Sequence, residues 1–570
     1  MSDSHAPSLA ESPLFPLYLS LGTFLAYIWA TPLRDLFGLE TRNGLFTKIM
    51  VSDGPSLIPT VMGTPYADYP PLYFWCSWLF SLPTGQVTTV SLVLPSAFGA
   101  AVMVAITFML AKKISVQTAL IAALALATCP DYWLKAGRAT IDMLLALWVS
   151  LAIFFLYLRY HRPAAASGRA AEVAAFFMML LAFFTKGPVG LVLPVGIWAT
   201  FLICEKKWRL LLSFAMKSLM LAATCIGIDF LLLWQSGGSE LIRKVFEAQL
   251  AGRVGDEANE PVYYYLIYLL SGAAPWWIPA CFGFFRAGRQ DSRSISGRTF
   301  LANLFSQEAM RLAACWLLFV LALFSAASTR HSRYLLPLFP ALFLLIGRGI
   351  ELFVEHSSLL RKQGCASVFR YLFFLLMAAW TVMYIAAPLS YRPPIFFWLI
   401  WLVCSILIYV MVGKTGQSLR AISLALLCVG STMAAESMLV EPWISHRESG
   451  RDFIRQTEAE IGPTIPVVLY KIHPDGDGLK YALYSSRRSE ALSFTDTPAE
   501  LNSQPLPYVL IAFDKTINEL AMPGQSKAMK VLAQGLVHRK KITSWLIGEK
   551  KQNIQPEQKL GGAPALDNGY

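Results

Sequence analysis

The sequence contains few charged residues for its length. Of its 570 residues only 15% are Asp, Glu, Lys or Arg and 55% are hydrophobic, whereas soluble domains are about 25% charged. The deficit lies before residue 440, because residues 441–570 hold 16 of the 48 Lys and Arg and 15 of the 36 Asp and Glu. The composition excludes an entirely soluble protein. It predicts an α-helical polytopic membrane domain followed by a soluble domain.

Two further absences narrow the class of protein. The nine cysteines form no Cys-x-x-Cys motif and none follows residue 440, so we interpret them as small buried hydrophobic residues. Residues 1–13 contain no Lys or Arg, and no small-residue cleavage site follows, which argues against a cleavable signal peptide. The net charge of +12 lies mostly between apolar segments, where cations orient helices. We therefore expect membrane lipids as partners and no nucleic acid.

Thirteen apolar runs approach the ~20 residues that a helix needs to cross a bilayer. They lie at about 14–33, 86–111, 115–130, 139–158, 171–185, 188–204, 212–234, 262–285, 312–327, 334–350, 371–388, 395–413 and 421–440. The sequence thus predicts about 13 transmembrane helices in a domain of residues 1–440. Twenty of the 32 Lys and Arg residues in this domain fall in the loops of one side, which the positive-inside rule assigns to the cytoplasm together with the N-terminus.

The polar region after residue 440 alternates short apolar runs with helical patterns. Ile465–Tyr470 and Tyr508–Phe513 are typical of buried strands, and Arg451–Ile461 and Ser526–Gly535 of helices. We expect a small α/β domain at 441–547, on the periplasmic side of a bacterial inner membrane, and a disordered tail at 548–570.

Cations break the charge trend on the predicted outer face. The face carries two long loops, 34–85 and 235–262, and long loops are commonly functional. Five cations lie at outer ends of different helices, namely Arg42, Lys186, Arg253, Arg330 and Arg333. This pattern indicates a bound polyanion, most simply a lipid phosphate at headgroup depth.

Six short motifs on this face follow one another along the chain. They are Glu40-Thr41-Arg42, Asp68-Tyr69-Pro70-Pro71, Arg138-x-x-x-Asp142, Thr185-Lys186-Gly187, Pro275-Trp276 and Arg333-Tyr334-x-x-Pro337. In this order they resemble the bacterial GT-C glycosyltransferases of the aminoarabinose-transferase and protein-mannosyltransferase superfamily, over about residues 14–440. The resemblance implies transfer of a sugar from a polyprenyl-phosphate carrier to a lipid A, glycan or protein acceptor at the outer face.

The chain also departs from the family pattern. The resemblance matches Glu40 and Arg42 to the family's Asp-Glu-Thr-Arg, but Leu39 replaces its leading acid. It matches Asp68 to an acid before Pro-Pro, but Tyr69 replaces a phosphate-binding lysine. The family's histidine metal ligand has no counterpart in 235–262. We therefore assign no cofactor and no metal ligand, and a divalent metal stays an open alternative.

The resemblance and the residue types together suggest a displacement mechanism. Cations neutralise the leaving phosphate, and Glu40, with Asp68 as its partner, takes the acceptor proton as catalytic base. The candidate substrate- and phosphate-binding residues are Arg42, Arg138, Asp142, Lys186, Arg253, Arg330, His331, Arg333 and Tyr334.

Other readings of the same residues remain open. Glu40 could form an ion pair with Arg42, Asp68 could cap a helix, and His331 is more often a hydrogen-bonding residue than a metal ligand. A lipid-linked sugar flippase or transporter is a second class of function, although such proteins place ionisable groups near the bilayer midplane. A non-catalytic relative that only binds carrier lipid is a third.

Overall fold

The computed structural model describes most of the chain. The described residues are 9–66, 69–163, 165–254, 260–261, 263–291, 304–327, 329–357, 363–389, 391–413, 416–462, 464–517 and 527–549. The chain divides into two compact units, Met1–His446 and Arg447–Tyr570. The predicted disordered tail lies outside the described residues from 550 onward.

The first unit is almost entirely helical. Its first ten helices are α1 (Phe15–Ile28), α2 (Leu39–Asp53), α3 (Leu72–Ser81), α4 (Thr89–Ala111), α5 (Val116–Ala127), α6 (Pro130–Ala136), α7 (Ile141–His161), α8 (Ala166–Lys186), α9 (Val189–Cys204) and α10 (Trp208–Val254). Helix α10 breaks at Gly238 and continues to Val254, so most of the outer loop predicted at 235–262 is helical. The helices after it are α11 (Tyr264–Gly272), α12 (Trp277–Asp291), α13 (Glu308–Ser325), α14 (Phe339–His356), α15 (Gln363–Ala386), α16 (Ile395–Gly413) and α17 (Gln417–Ser449). A short hairpin of β1 (Thr60–Val61) and β2 (Thr64–Pro65) follows α2.

Helices coincide with all thirteen apolar runs. Within the described residues, nine helices are long and apolar enough to span a membrane, and the bent pair α11–α12 makes a tenth. The other three runs form the shorter helices α1, α5 and α9, of 14, 12 and 16 residues. At 1.5 Å per residue these helices are shorter than a ~30 Å hydrocarbon layer. The polytopic helical fold is confirmed, while the count of 13 spans and their orientation stay predictions.

Helices α8 and α9 form the tight helical hairpin that their short separation suggests. Gly187 adopts a φ of +66° and its N–H donates to the carbonyl of Phe183, a conformation that side-chain-bearing residues rarely adopt. The helices then run so close that a Cβ on Gly190 would lie 2.2 Å from the Ala182 carbonyl oxygen. This turn holds Lys186 at the end of α8.

The second unit is an α/β domain with a five-stranded sheet. The strands are β3 (Val467–Tyr470), β4 (Leu492–Thr495), β5 (Tyr508–Phe513), β6 (Lys527–Val537) and β7 (Lys540–Glu549). Their order is β4-β3-β5-β7-β6, with β3 parallel to β4 and β5 and the remaining pairs antiparallel. The helices are α18 (Arg451–Ala459), α19 (Asp477–Tyr484), α20 (Pro498–Asn502) and α21 (Asp514–Ile517).

The helix predicted at 526–535 is wrong, because β6 occupies this segment. Its Ala, Met, Leu and Lys residues favour a helix, but β6 pairs along its length with β7. The two strands join through His538 and Arg539, which have φ angles of +52° and +59°. Two-residue hairpin turns of this kind normally carry Asn or Gly. Without those residues no hairpin signal is present at this turn, and strand pairing overrides the local helix propensity.

Candidate active site

Three of the predicted site residues meet on one carboxylate. Asp142, in the first turn of α7, accepts a hydrogen bond from the Lys186 ammonium and lies 3.3 Å from Arg333 Nε. Their side chains are 8%, 11% and 22% exposed. One carboxylate therefore contacts two cations in a largely buried place. Adjacent lysine and arginine side chains are the residue types that bind phosphate.

The ring of Tyr334 forms an aromatic wall of this cluster. The Lys186 ammonium lies 4.2 Å from the ring centroid and the Arg333 guanidinium carbon 5.5 Å. Phe324 and His331 pack against the same ring, with centroids at 5.4 and 5.2 Å. These cation–π contacts fix the two cations without neutralising them. We call Asp142, Lys186, Arg333 and Tyr334 the cation cluster.

Arg333 and Tyr334 lie in a 3-10 helix at Ser332–Leu338. The two residues just before this helix are also predicted site residues. Arg330 is buried and donates to the carbonyls of Glu260 and Ser325, so it joins the second outer loop to the end of α13. His331 is exposed, and partial desolvation and the positive charge of Arg333 lower its pKa. A neutral imidazole at neutral pH can both donate and accept a hydrogen bond.

Local contacts fix the first turn of α7. The Thr140 N–H donates to Ser96 Oγ, and Ser96 Oγ in turn bonds the Thr140 carbonyl, so α4 holds the residue before α7. Asp142 then lies at a helix N-terminus, where the helix dipole favours a negative side chain. Its position is therefore set by the fold and does not depend on its two cationic partners.

A second charged cluster joins α6 to α11. Lys135 Nζ lies 2.6 and 2.7 Å from the two carboxylate oxygens of Asp131, and the Tyr268 hydroxyl bonds both side chains. Burial lowers the pKa of Lys135, although Asp131 opposes this effect. This cluster therefore connects α6 to α11 through Tyr268.

Glu40 is paired with Arg34 and not with Arg42. Two guanidinium nitrogens of Arg34 each lie 2.7 Å from a Glu40 carboxylate oxygen, and the Ala139 N–H donates at 2.7 Å. Arg34 also donates to the Gly137 carbonyl at 2.6 Å. Burial alone would raise the pKa of Glu40, but the charge and hydrogen bonds of Arg34 outweigh it and hold the pKa below its ordinary value. The pair fastens α2 to the segment before α7.

Glu40→Gln separates an anchoring role from a catalytic one. Removing one partner of a buried ion pair costs about 3–5 kcal/mol, so we expect Glu40→Gln and Arg34→Gln to lower the unfolding temperature of the purified protein by similar amounts. The control is Glu205→Gln, at the far end of α9, where Glu205 pairs with Arg311. Full thermal stability of Glu40→Gln combined with about a 100-fold loss of sugar transfer would contradict the anchoring role and support the base role.

The remaining predicted residues take different positions. Arg42 donates to the Tyr66 hydroxyl at 2.6 Å and lies over its ring. Arg138 donates to Glu441 at 2.6 Å and stacks on Phe37. Asp68 lies outside the described residues, and of Arg253 only the helical backbone at the end of α10 is described.

Several charged residues of this face were missed by sequence reasoning. Arg34, Asp131, Lys135, Tyr268 and Glu441 all make ion pairs or hydrogen bonds here. Only the spacing of Asp131 and Lys135, one helical turn apart, offered a signal. The partners of Tyr268 and Glu441 are distant in sequence, and an irregular loop separates Arg34 from Glu40. Sequence spacing therefore offers no signal for these three residues.

The described side chains of this site do not form a metal-binding group. Within the described parts of the chain, no three His, Cys, Asp or Glu side chains come together at metal-binding separation. Glu40, Asp131 and Asp142 are bonded to Arg, Lys or Tyr side chains, and His331 is the histidine of the cation-cluster segment. We assign no reaction step to a metal.

Comparison with known proteins shows which proteins the chain resembles. The family described as dolichyl-phosphate-mannose-protein mannosyltransferase matches residues 68–234. The crystal structure of ArnT from Cupriavidus metallidurans bound to undecaprenyl phosphate superposes with a TM-score of 0.69 at 18% identity, covering 94% of this chain and 98% of that one. The apo structure of the same protein gives a TM-score of 0.68. The fold is that of these two ArnT structures.

The proteins that are similar in sequence include aminoarabinose transferases. The undecaprenyl phosphate-alpha-4-amino-4-deoxy-L-arabinose arabinosyl transferase of Erwinia tasmaniensis is 26% identical over 391 residues, 66% of each chain. That of Pseudomonas aeruginosa strain UCBPP-PA14 is 24% identical over 377 residues, 64% of each chain. The matched region thus spans just under two thirds of the length of these relatives. The resemblance to the aminoarabinose-transferase and protein-mannosyltransferase superfamily is confirmed.

Proposed function

We propose that the protein is a membrane glycosyltransferase that moves a sugar from a polyprenyl-phosphate carrier to a lipid A, glycan or protein acceptor at the periplasmic face of the inner membrane. The cation cluster is the observation that carries the proposal. Lys186 and Arg333 both contact the carboxylate of Asp142 in a place that is mostly shielded from water. ArnT from Cupriavidus metallidurans, which has the same fold, was crystallised with undecaprenyl phosphate bound, which supports this ligand class.

The chemistry is a displacement at the anomeric carbon of the sugar. The acceptor oxygen forms a bond to this carbon, and the bond from the carbon to the carrier phosphate oxygen breaks. The phosphate leaves with the electron pair, and the charge that develops on it is stabilised by Lys186 and Arg333. Arg can contact two phosphate oxygens at once, whereas Lys acts as a point charge. Arg330 and His331 border this position.

The identity of the base is a separate question. Glu40 stays a prediction as the catalytic base, but its contacts favour an anchoring role, because both carboxylate oxygens already accept charged hydrogen bonds and its pKa is lowered. An acceptor that is itself a phosphate needs no base. We also propose that the transferred sugar is a pentose or a hexose. This part of the proposal is supported by the similarity to aminoarabinose transferases.

Lipid analysis of a strain that lacks the protein tests this function. We expect one polyprenyl-phosphate sugar to accumulate, as measured by mass spectrometry, and the corresponding sugar to disappear from its acceptor. Reintroducing the wild-type gene should reverse both changes, and Asp142→Asn or Arg333→Ala should not. A sugar lipid that accumulates only on the cytoplasmic leaflet, with the transferase reaction intact in detergent extracts, would indicate a flippase instead.

A further inference from the structure

Two cysteine side chains contact each other at one end of the membrane domain. Cys204 is the last residue of α9 and Cys315 lies in α13, and their sulfur atoms are 3.5 Å apart. The two residues are 111 positions apart in the sequence, so helix packing alone brings them together. Cys315 is buried, whereas Cys204 is exposed. The pair therefore combines a thiol that a small reagent can reach with a second thiol directly behind it.

A neighbouring ion pair holds the two helices at this contact. Glu205 follows Cys204 in the chain, and Arg311 lies one helical turn before Cys315. Arg311 Nε lies 2.5 Å from one Glu205 carboxylate oxygen, and Arg311 Nη2 lies 3.3 Å from the other. A two-pronged contact of this kind constrains direction as well as distance. It keeps the end of α9 against α13, so the two sulfur atoms stay close to each other.

The residues that follow Cys204 place it at the surface of the membrane. They are Glu205, Lys206 and Lys207, and both lysines are exposed. Charged side chains are costly inside a bilayer, so this end of α9 lies at the boundary with water. The distribution of Lys and Arg predicts that this boundary is the cytoplasmic one. Because the cytoplasm keeps thiols reduced, we expect two free thiols here until an oxidant reaches them.

We propose that Cys204 and Cys315 form a redox modification site that a hydroperoxide converts into an intramolecular disulfide. The exposed Cys204 reacts first, because the thiolate is the nucleophile and access limits its oxidation. The buried Cys315 is the resolving thiol. The inference does not depend on the proposed function, since neither residue belongs to the candidate active site.

The reaction has two steps that balance with hydrogen peroxide as the oxidant. The Cys204 thiolate attacks one peroxide oxygen, the O–O bond breaks, and Cys204 becomes a sulfenic acid while hydroxide leaves and takes up a proton as water. The Cys315 sulfur then gives up its proton and attacks the Cys204 sulfur, and the S–O bond breaks to release a second water. Two thiols are oxidised by two electrons in total and one peroxide is reduced to two waters. Small thiols reverse the change by disulfide exchange.

The packing of the two helices permits this bond. The sulfur atoms must approach from 3.5 Å to about 2.0 Å, a shift that side-chain rotation can supply. The disulfide then joins α9 to α13 across a long loop of the chain. Closing a long loop restricts the unfolded chain more than closing a short one. We therefore expect the oxidised protein to unfold at a higher temperature than the reduced protein.

Peptide mapping of the oxidised protein tests the site. Purified full-length protein in detergent is treated with hydrogen peroxide, its remaining thiols are blocked with N-ethylmaleimide, and the digest is analysed by mass spectrometry. Wild-type protein should give one peptide pair that is cross-linked through Cys204 and Cys315 and separates with dithiothreitol. In Cys315→Ser the Cys204 sulfenic acid has no resolving thiol, so irreversible sulfinic acid at Cys204 should rise about tenfold or more over wild type. In Cys204→Ser, Cys315 should stay a free thiol.

The wild-type protein alone can overturn the proposal, so it stays testable if a variant fails to fold. Sulfinic acid at Cys204 beside a free Cys315 thiol would show that the pair does not react as one site. Disulfides that form only between two molecules would show the same. An oxidised wild-type protein that unfolds at a lower temperature than the reduced one would mean that the cross-link traps a distorted state. A cross-link within one molecule that raises the unfolding temperature, with no such rise in Cys315→Ser, supports a site built into the native packing.

Discussion

Arg333→Lys should weaken binding of undecaprenyl phosphate by about tenfold, and Arg333→Ala and Lys186→Ala by about 30- to 150-fold. The larger effect corresponds to about 2–3 kcal/mol, the strength of a hydrogen bond to a charged group in a partly dry site. Each alanine variant leaves one cation fewer beside Asp142 to contact the phosphate. The measurement is equilibrium binding of labelled undecaprenyl phosphate to purified protein in detergent.

The comparison of lysine with arginine is the informative part of this experiment. Lysine keeps the charge but cannot make the two parallel contacts of a guanidinium, so partial rescue indicates direct phosphate binding. If Arg333 only anchors its helix at the headgroups, lysine replaces it fully, because both side chains reach the interface through flexible apolar stems. The matched control is Arg311→Lys at the far end of α9, where Arg311 pairs with Glu205. Normal binding by Arg333→Ala would reject the phosphate site.

Salt provides an independent check on the same cluster. Its side chains are largely buried, so salt screens them less than it screens surface charges. We expect the loss of binding in Lys186→Ala to persist at high ionic strength. An effect that disappears with added salt would indicate general attraction to a basic surface.

The polytopic fold could be predicted from sequence because its signal is local. Each apolar run forms a helix by itself in a bilayer, where backbone groups must bond within the segment. The cations at helix ends were visible for the same reason: Lys186 and Arg333 break a charge trend along the chain. The failure at β6 has the opposite cause, because its strand conformation depends on pairing with β7 rather than on its own residues.

The pairing inside the site could not be predicted in the same way. An ion pair between Glu40 and Arg42, two residues away, was the alternative to the base role, but an arginine six residues upstream folds back onto Glu40. The turn from Arg34 to Glu40 is irregular, and Gly38 within it has a φ of +60°. Periodicity carries no information on such a turn. Similarly, Glu441 reaches Arg138 only because α17 packs beside the segment between α6 and α7.

Asp131→Asn should destabilise the protein by about 3 kcal/mol at pH 7. The change leaves Lys135, whose side chain is 13% exposed, without its counter-ion, and breaking a buried pair costs about 3–5 kcal/mol. The lysine can escape this cost by losing its proton. For a group with an unfolded pKa of about 10.4, deprotonation at pH 7 costs about 4.6 kcal/mol. This value is the upper limit of the destabilisation that the unpaired charge of Lys135 can cause.

The pH dependence of Asp131→Asn identifies this mechanism. The pKa of Lys135 is lowered in the folded protein, so folding disfavours its charged form. The resulting penalty is fully present below the folded pKa and disappears as the pH rises from that value towards the unfolded pKa of about 10.4. Removing Asp131 lowers the folded pKa further, since that carboxylate raises it. The stability difference between wild type and Asp131→Asn should therefore narrow between pH 7 and pH 10.

The double variant Asp131→Asn/Lys135→Met supplies the decisive comparison. It removes both charges at similar volume, and replacing a buried ion pair by neutral side chains is often close to neutral in stability. We expect its thermal unfolding in detergent to match that of wild type, and its pH dependence between pH 7 and pH 10 to be flat. A double variant as unstable as Asp131→Asn would mean that the contacts of the carboxylate with Tyr268, rather than the charge of Lys135, hold α11 against α6.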